Sequence, residues 1–318
     1  MIEQAAKRLE ELKRAGAELP GADASRAATE TLPTPEAVVR AFEAHAHASP
    51  ASRGARMNTP AAHAIVPPGA HHEGSRTVDL DLVRLKARGY VTPDAPKSQI
   101  ADEFRVLKRP IIRNAFGEAG ARVKHGNLVM VTSALPGEGK TFTSVNLALS
   151  IAMEIDTTVL LVDGDVAHPT IPRLLGAPHA PGLLDLLTDD DISFADTLVR
   201  TNVDKLVILP AGSRHRRATE LLASEQMASL LRELASRYPD RIIIFDSPPL
   251  LATTEARVLA SYMGQIIMVV AADKTSHHSV SQALATIENC EVVLMALNKA
   301  SRTDVGTYYG YYADDSAI

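Results

Sequence analysis

A single segment sets the architecture of this chain: Asn127-Leu-Val-Met-Val-Thr-Ser-Ala-Leu-Pro-Gly-Glu-Gly-Lys-Thr141. Its first part, from Leu128 to Thr132, is an unbroken run of apolar and β-branched residues and predicts a buried strand. A turn through residues 134–139 follows, and a helix is predicted to begin at Lys140. A strand, a glycine-bearing turn and a helix in this order form a cradle for phosphate, because backbone N–H groups and the helix N-terminus face the anion.

The cradle matches the pattern G-x-x-x-x-G-K-[ST] except at its first position, where Ala134 replaces glycine. Alanine fits there if the turn needs no positive φ. Lys140 is expected to reach the β- and γ-phosphates of ATP, and the Thr141 hydroxyl is expected to ligate Mg²⁺. The ATP contacts predicted in this segment are Pro136, Gly137, Glu138, Gly139, Lys140, Thr141 and Phe142. An ordinary glycine-rich turn would leave the Lys-Thr pair after Gly139 unexplained.

From residue 128 onward, strand and helix patterns alternate. The predicted strands are 128–132, 158–162, 206–209, 242–245, 266–270 and 292–297. Helical patterns fall between them, for example at 143–154, 219–236 and 277–288. Near-continuous Val/Ile/Leu strands that alternate with helices predict a parallel sheet covered on both faces. The expected fold is an α/β P-loop NTPase three-layer sandwich with a mostly parallel central sheet, preceded by a partly disordered N-terminal region.

Three aspartates end two of these strands. Asp163 and Asp165 close one apolar run, and Asp246 closes another. Carboxylates at the tips of apolar strands are costly unless they are paired, hydrogen-bonded or bound to metal, and ligands lie at the carboxyl ends of such strands. Either Asp163 or Asp165 could accept a proton from an attacking hydroxyl. The predicted catalytic residues are Lys140, Asp163, Asp165 and Asp246, and the predicted Mg²⁺ ligands are Thr141, Asp163 and Asp246.

Two further features leave alternatives open near the predicted nucleotide edge. Asn298 ends the last predicted strand and is either a contact to the adenine edge of ATP or a turn residue. The basic loop, Arg214-His-Arg-Arg217, binds an anion or a neighbouring subunit, or it is simply solvated. Neither pattern decides between its alternatives.

A charged stripe lies on a helix predicted to run from about residue 98 to residue 112. Asp102, Arg105 and Lys108 recur every three residues, so they are expected to lie along one side of this helix. The stripe is interpreted either as a subunit contact or as a solvated charged face.

The chain divides into four parts by composition. Residues 1–17 predict an amphipathic helix and residues 18–77 a linker rich in Ala, Pro and His, ahead of a catalytic domain at 78–302 and a tail at 303–318. A net charge of −5 argues against nucleic acid as a partner. A single cysteine, the lack of a signal peptide and the lack of a bilayer-spanning apolar run predict a cytoplasmic protein.

The tail is the second informative segment of the sequence. Four of the seven tyrosines occur within it, as Tyr308, Tyr309, Tyr311 and Tyr312. They are surrounded by Thr, Gly, Ser and Asp and have few aliphatic neighbours, so the phenols are expected to be accessible. The alternative is an aromatic strip packed on the domain.

On these motifs the chain resembles the bacterial tyrosine autokinases (BY-kinases) of exopolysaccharide operons. The resemblance covers about residues 78–318. Residues 79–85 and 103–112 resemble the branch associated with exosortase (XrtA/PEP-CTERM) systems. The matching motifs are Walker A at 134–141, the second motif A′ at 159–165, Walker B at 242–249 and the acceptor tyrosines at 308–312.

The resemblance implies an ATP- and Mg²⁺-dependent protein-tyrosine kinase that phosphorylates its four tail tyrosines between subunits of a homo-oligomer. It also implies control of exopolysaccharide polymerisation or export. A separate membrane co-polymerase (a chain-length determinant) would recruit the chain to the inner membrane, and a phosphotyrosine phosphatase would reverse the reaction. The charged stripe resembles the family's Glu-x-x-Arg-x-x-Arg oligomerisation motif with two conservative departures, and Ala167 stands where many relatives carry arginine. These departures weaken the inference of ring assembly more than that of catalysis.

Two other functions compete with the tyrosine kinase. A partitioning ATPase of the ParA/MinD type carries an extra lysine just after the first Walker A position, where this chain has Leu135, and it needs no tyrosine tail. A non-catalytic nucleotide switch would use the same cradle for binding alone. Mapping phosphotyrosine after incubation with ATP and Mg²⁺ separates these possibilities.

Overall fold

The computed structural model describes residues 76–118, 122–178 and 180–301. The predictions of an N-terminal helix at 1–17, of most of the linker and of an accessible tyrosine tail at 303–318 lie outside these residues. Within the described part of the chain, no helix is both long enough and apolar enough to cross a membrane.

Eight strands and ten helices make up the described part of the chain. The strands are β1 (Arg76–Val78), β2 (Leu128–Ser133), β3 (Thr158–Asp163), β4 (Val199–Thr201), β5 (Leu206–Leu209), β6 (Arg241–Asp246), β7 (Gln265–Ala271) and β8 (Val292–Asn298). The helices are α1 (Leu82–Ala87), α2 (Gln99–Phe116), α3 (Lys140–Ala152), α4 (Ile171–Leu175), α5 (Leu183–Leu186), α6 (Phe194–Thr197), α7 (Ala218–Leu222), α8 (Glu225–Arg237), α9 (Thr254–Ala260) and α10 (His277–Ala285).

The strands form one sheet in the order β1-β4-β5-β3-β6-β2-β7-β8. All neighbouring strands are parallel except β4 and β5, which pair in antiparallel orientation. Parallel strands bring their carboxyl ends to one edge, and the chain leaves β3, β6 and β2 side by side at the centre of that edge. The predicted α/β sandwich with a mostly parallel sheet is confirmed.

Two hydrophobic cores lie on opposite faces of the sheet. Successive residues of β2 alternate between them: Leu128 and Met130 pack into one core, and Val129 and Val131 into the other. Helix α8 covers the first face and helices α2 and α3 cover the second. Because β2 is buried on both faces, its sequence is an apolar run without alternation.

The six predicted strands are all present and differ from the observed strands by at most one residue at either end. The helix predicted at 219–236 is instead two helices, since Ser224 interrupts it and its side chain caps α8 by accepting from Met227 N. Strands β1 and β4 were not predicted, because three residues are too few to show a period. The predicted domain boundary at residue 78 therefore falls inside β1.

The charged stripe on α2 is not one exposed face, which corrects the prediction. Asp102 and Arg105 are exposed and form an ion pair. Lys108 is buried, and its Nζ donates to the Ser150 carbonyl oxygen at 2.5 Å and pairs with Glu154 Oε1 at 2.9 Å. Lys108 therefore binds the C-terminal end of α3 within the same chain and is not available to a neighbouring subunit.

Candidate active site

The phosphate cradle joins the end of β2 to the start of α3. Gly137 and Gly139 both have positive φ, at 78° and 106°. Glycine adopts this conformation without steric cost, which allows the chain to turn tightly here. At Gly139 a side chain is excluded twice, because a Cβ would also clash with the Asn298 amide. Ala134 is fully buried and has no positive φ, so alanine serves at the first position of the motif.

The Glu138 side chain braces the cradle from inside the protein. It is buried, and its carboxylate accepts from Leu135 N at 2.6 Å, from Ala271 N at 3.2 Å and from the Thr275 hydroxyl. These bonds connect the loop to the carboxyl end of β7. A contact to ATP predicted at Glu138 would therefore come from its backbone, because its carboxylate is fully engaged with the protein.

Asn298 and Lys299, at the end of β8, hold the same loop from outside. Asn298 Nδ2 donates to the Glu138 carbonyl oxygen at 2.8 Å, and Lys299 Nζ donates to the Gly137 carbonyl oxygen at 2.6 Å. The two bonds satisfy these carbonyl oxygens and attach the loop to the end of β8. The contact of Asn298 to adenine stays a prediction, and its observed partner is the phosphate loop.

Asp246 lies directly beneath the start of α3. Its Oδ2 accepts from the Thr141 hydroxyl at 2.7 Å and its Oδ1 from the Ser144 hydroxyl at 2.9 Å. Burial raises the pKa of Asp246 to about 6, against these two hydrogen bonds and the positive charge of Lys140, which lower it. The structure thus brings Asp246 and Thr141, two of the predicted Mg²⁺ ligands, into direct contact.

Asp163 is the neighbour of Asp246 across the sheet. The two residues are partners in the register of β3 and β6, and Asp163 is fully buried. Its Oδ2 accepts from the backbone N–H groups of Thr170 and Ile171, each at 3.0 Å, whereas its Oδ1 has no partner among the described residues. Burial raises the pKa of Asp163 to about 8, with a further contribution from the charge of Asp246.

Asp165 lies two residues beyond β3 and is more accessible than Asp163. Its side chain is 19% exposed, and its Oδ1 accepts from His168 N at 3.0 Å. Burial raises its pKa, and the charge of Lys140 lowers it. Burial in turn lowers the pKa of Lys140, while Asp246 and Asp165 raise it. Lys140, Asp165 and Asp246 therefore share one electrostatic environment at the head of α3.

The residues at this edge fit a magnesium ion bound together with a nucleotide. The oxygens available are the Thr141 hydroxyl, the Asp246 carboxylate and the unpartnered Asp163 Oδ1. Oxygen ligands of this kind suit Mg²⁺, which keeps several waters and uses one or two carboxylates together with phosphates. Among the described residues no cluster of three His, Cys, Asp or Glu side chains could hold a metal alone. Any cation here would depend on the Thr141 hydroxyl, water or phosphate.

Comparison with known proteins agrees with this geometry. The family model of the AAA domain matches residues 127–299. CapB of Staphylococcus aureus, named as a tyrosine-protein kinase, is 30% identical over 224 residues, which cover 70% of this chain and 94% of CapB. The chain belongs to the bacterial tyrosine-protein kinases.

Two further similarities set the extent of the kinase domain. The crystal structure of the chimerical protein CapA2B2 superposes with a TM-score of 0.55 at 26% identity, covering 69% of this chain and 92% of that one. ExoP of Rhizobium meliloti, named as a succinoglycan biosynthesis transport protein, is 28% identical over 233 residues, which are 72% of this chain and 28% of ExoP. The kinase chain thus corresponds to only a part of ExoP.

Phe142 of the kinase was predicted to contact ATP, and its ring has another role. The ring packs against Tyr90 and Phe104, with centroid distances of 5.1 and 6.4 Å. These aromatic contacts attach the first turn of α3 to helix α2 and to the segment before it. An ATP contact of Phe142 would therefore come from its backbone.

Several residues that build the kinase site were not predicted from the sequence. Ser144 completes the hydrogen bonding of Asp246, and Thr170 places its hydroxyl 3.4 Å from the Thr141 hydroxyl. Asn146, one turn beyond Phe142, accepts from Val91 N at 2.7 Å and donates to the Phe142 carbonyl oxygen at 2.9 Å. Ser144 follows Thr141 at helical spacing three, the one signal that could have revealed it.

Proposed function

We propose that the kinase transfers the γ-phosphoryl group of ATP to the tail tyrosines of another copy of the same chain. One observation carries the proposal: Lys140, Thr141, Asp246 and Asp163 converge at the head of a phosphate cradle. The predicted acceptors, Tyr308, Tyr309, Tyr311 and Tyr312, give the chain a substrate of its own.

The chain's own groups supply positioning and charge for this transfer. Backbone N–H groups of residues 137–141 would hold the phosphates, and the Lys140 ammonium would neutralise the charge that develops on the γ-phosphoryl oxygens. Thr141, Asp163 and Asp246 would hold Mg²⁺, which when bound neutralises phosphate charge and draws the nucleotide into one orientation. The raised pKa of Asp163 fits a carboxylate whose stable ionisation requires a bound cation.

We assign Asp165 as the proton acceptor, because it is the more accessible of the two candidates. The phenolic oxygen forms a bond to the γ-phosphorus, and the bond from that phosphorus to the β–γ bridging oxygen breaks. The electron pair of the broken bond leaves with ADP, and the phenolic proton passes to the Asp165 carboxylate. Burial raises the pKa of Asp165 toward the working range of a general base.

The name of one relative supports a proposal for the biological setting. ExoP is named for the biosynthesis of a polysaccharide, and we propose that this kinase likewise controls polymerisation or export of an exopolysaccharide. The kinase would act in the cytoplasm, where a separate co-polymerase would recruit it to the inner membrane. A phosphotyrosine phosphatase would reverse the phosphorylation. Membership of the exosortase-associated branch stays a prediction. A strain whose chromosomal copy carries Lys140→Met should make less exopolysaccharide or polymers of altered length.

The direct test is autophosphorylation of the purified full chain. Wild type is incubated with ATP and Mg²⁺, and phosphotyrosine is mapped by mass spectrometry. Lys140→Met should lose phosphotyrosine while unfolding as cooperatively as wild type. Lys124→Met is the matched control, because Lys124 is an exposed lysine before the opposite end of β2. ATP binding without any phosphotyrosine in the wild type would indicate the nucleotide switch instead.

A further inference from the structure

The basic loop, Arg214 to Arg217, is a charged surface that has no role in the proposed phosphoryl transfer. All four of its residues are exposed. Within the described residues none of its three guanidinium groups forms an ion pair or a side-chain hydrogen bond, and the nearest acidic residue in sequence is Glu220. Three unpaired arginines in four residues create a local positive field at the surface.

The loop borders the acceptor side of the active site. It follows β5, whose last residue, Leu209, is the register partner of Val162, immediately before Asp163. Just beyond the loop, the Thr219 hydroxyl donates to Glu255 Oε1 at 2.7 Å. Glu255 belongs to α9, the helix that follows strand β6 and Asp246. The basic loop therefore extends from the strand beside β3, and β3 ends at Asp163, two residues before the proposed proton acceptor Asp165.

The ATP phosphates do not need this loop. Strands β3 and β6 lie between β5 and β2, so the strands that lead into the basic loop and into the phosphate cradle are about 14 Å apart at the usual strand spacing of about 4.8 Å. In the proposed function, Lys140 and the backbone N–H groups of residues 137–141 bind the phosphates. The positive charge of the loop, on the β3 side of the cradle, therefore fits an acidic protein segment that carries the acceptor hydroxyl.

We propose that the basic loop is the docking site for the acidic tyrosine segment, residues 303–318, of a second copy of the kinase. This inference rests on the proposed function and names the determinant of its protein substrate. The segment contains Asp304, Asp314 and Asp315 around the four tyrosines and has no lysine or arginine. Its negative charge complements the three arginines and places its phenols next to Asp165.

The reach of the chain allows only a second copy to bring all three aspartates of the segment to the loop. The thirteen residues from Ser301 to Asp314 can span about 45 Å, whereas Asp304 stays close to the end of β8. Strands β5 and β8 are five positions apart in the sheet, which is about 24 Å. Asp304 is three residues beyond Ser301, and three extended residues span at most about 11 Å. Asp304 therefore cannot reach the basic loop of its own subunit, whereas the whole segment of another subunit can lie along the loop.

The test uses two full-length chains, one as enzyme and one as acceptor. The acceptor carries Lys140→Met, so that it receives phosphate without transferring it. The enzyme is wild type, the double variant Arg216→Glu/Arg217→Glu, or the control Arg113→Glu/Lys124→Glu. The control makes the same change of charge at two exposed residues near the amino-end edge of the sheet. The basic-loop variant should show a KM for acceptor about tenfold higher, with kcat and the Kd for ATP unchanged.

Variants of the acceptor's aspartates complete a double-mutant cycle with the basic-loop variant of the enzyme. An acceptor with Asp304, Asp314 and Asp315 changed to Asn should raise KM for wild-type enzyme by a similar factor. With the basic-loop variant as enzyme, the same acceptor should raise KM little further, because both changes remove the same interaction. Higher ionic strength should raise the wild-type KM toward that of the variant. Additive effects, or an equal KM for all three enzymes, would overturn the docking site.

A binding measurement separates failure of docking from failure of the kinase assignment. A fluorescently labelled peptide of residues 303–318 should bind wild type and the Arg113/Lys124 control equally and the basic-loop variant about tenfold more weakly. That result stands whether or not tyrosine is phosphorylated. Equal binding of the peptide to all three proteins refutes the docking site, while absence of phosphotyrosine with intact peptide binding refutes only the proposed activity.

Discussion

The P-loop helix α3 meets buried charge at both of its ends, and the two ends are built differently. At the C-terminal end, Lys108 donates to the Ser150 carbonyl oxygen and pairs with Glu154. At the N-terminal end, Asp163 is equally buried, but its Oδ1 has no partner among the described residues. The protein compensates the buried charge of Lys108 fully, whereas it leaves one carboxylate oxygen of Asp163 without a hydrogen-bond partner among the described residues.

The difference separates a structural ion pair from a site made for a ligand. A buried charge is retained when opposite charge and hydrogen bonds compensate its desolvation, as they do for Lys108. An uncompensated carboxylate raises its pKa and stays protonated until a cation arrives, as the pKa of about 8 at Asp163 indicates. At the C-terminal end, Ser150 Oγ also has no partner in the described part of the chain, but it is a neutral hydroxyl and costs far less to bury.

The largest effect is expected from Asp163→Asn, which removes the incomplete charge. Phosphotyrosine formation should fall by roughly 100-fold or more, because the charge stabilisation by a bound metal amounts to several kcal/mol. Stability at neutral pH should not fall, since a buried ionisable group is replaced by a neutral one. Asp156→Asn makes the same change at an exposed residue before the other end of β3 and should leave the rate unchanged. Initial rates and thermal melts measure both properties.

The pH dependence of stability sharpens the same contrast. Burial raises the pKa of Asp163 to about 8 and that of Asp246 to about 6, from the usual 3.8. The folded state holds these protons more tightly, so the stabilisation is complete below about pH 4 and is lost as pH rises through about 6 and then 8. In chelator, the wild-type Tm should fall between pH 6 and 8 more than that of Asp163→Asn. Parallel curves would contradict the raised pKa of Asp163.

At the other end of α3, Lys108→Met should destabilise the fold without removing the chemistry. Losing the ammonium leaves Glu154 and the Ser150 carbonyl oxygen without their partner. Because the Glu154 side chain is 26% exposed and can reach water, the cost should be about 2–3 kcal/mol and not the larger values of fully buried pairs. Urea denaturation measures this loss, with Lys124→Met as the exposed control. A stable variant that loses its oligomeric mass would restore the subunit-contact interpretation of the stripe.

The sequence was informative where a feature is local and silent where it depends on a distant partner. The apolar runs that end in Asp163 and Asp246 predicted both the strands and the carboxylates at their tips. The orientation of Lys108 was not predictable, because spacing by three tells which residues share a face but not which face is buried. The same holds for the Glu138 carboxylate, whose partner Thr275 lies 137 residues further along the chain.

A smaller effect is expected at Ser144, which supports Asp246 from the second turn of α3. Ser144→Ala leaves Oδ1 of Asp246 without its donor at 2.9 Å, and a hydrogen bond to a charged group contributes about 1.5–3 kcal/mol. Mg²⁺ can replace part of this bond, so phosphotyrosine formation at neutral pH should fall only about fivefold to tenfold, roughly 1 kcal/mol. Activity should recover at higher pH, because the variant raises the pKa of Asp246 further. Equal losses at all pH values would mean that Ser144 acts through packing.

The smallest effect on the isolated subunit is expected from Arg105→Glu on the exposed part of the stripe. Arg105 pairs with Asp102 and donates to the Pro96 carbonyl oxygen at 3.0 Å, and an exposed pair of this kind contributes at most about 1 kcal/mol. Urea denaturation should therefore show a shift well below that of Lys108→Met. If Arg105 also contacts a neighbouring subunit, the same variant should lower oligomer mass in light scattering and reduce trans phosphorylation together. Arg113→Glu, about two turns closer to the amino edge of the sheet, should change neither. Because the fold is barely affected, a loss of mass and activity in Arg105→Glu alone assigns the subunit contact to Arg105, and unchanged mass leaves the exposed stripe a solvated face.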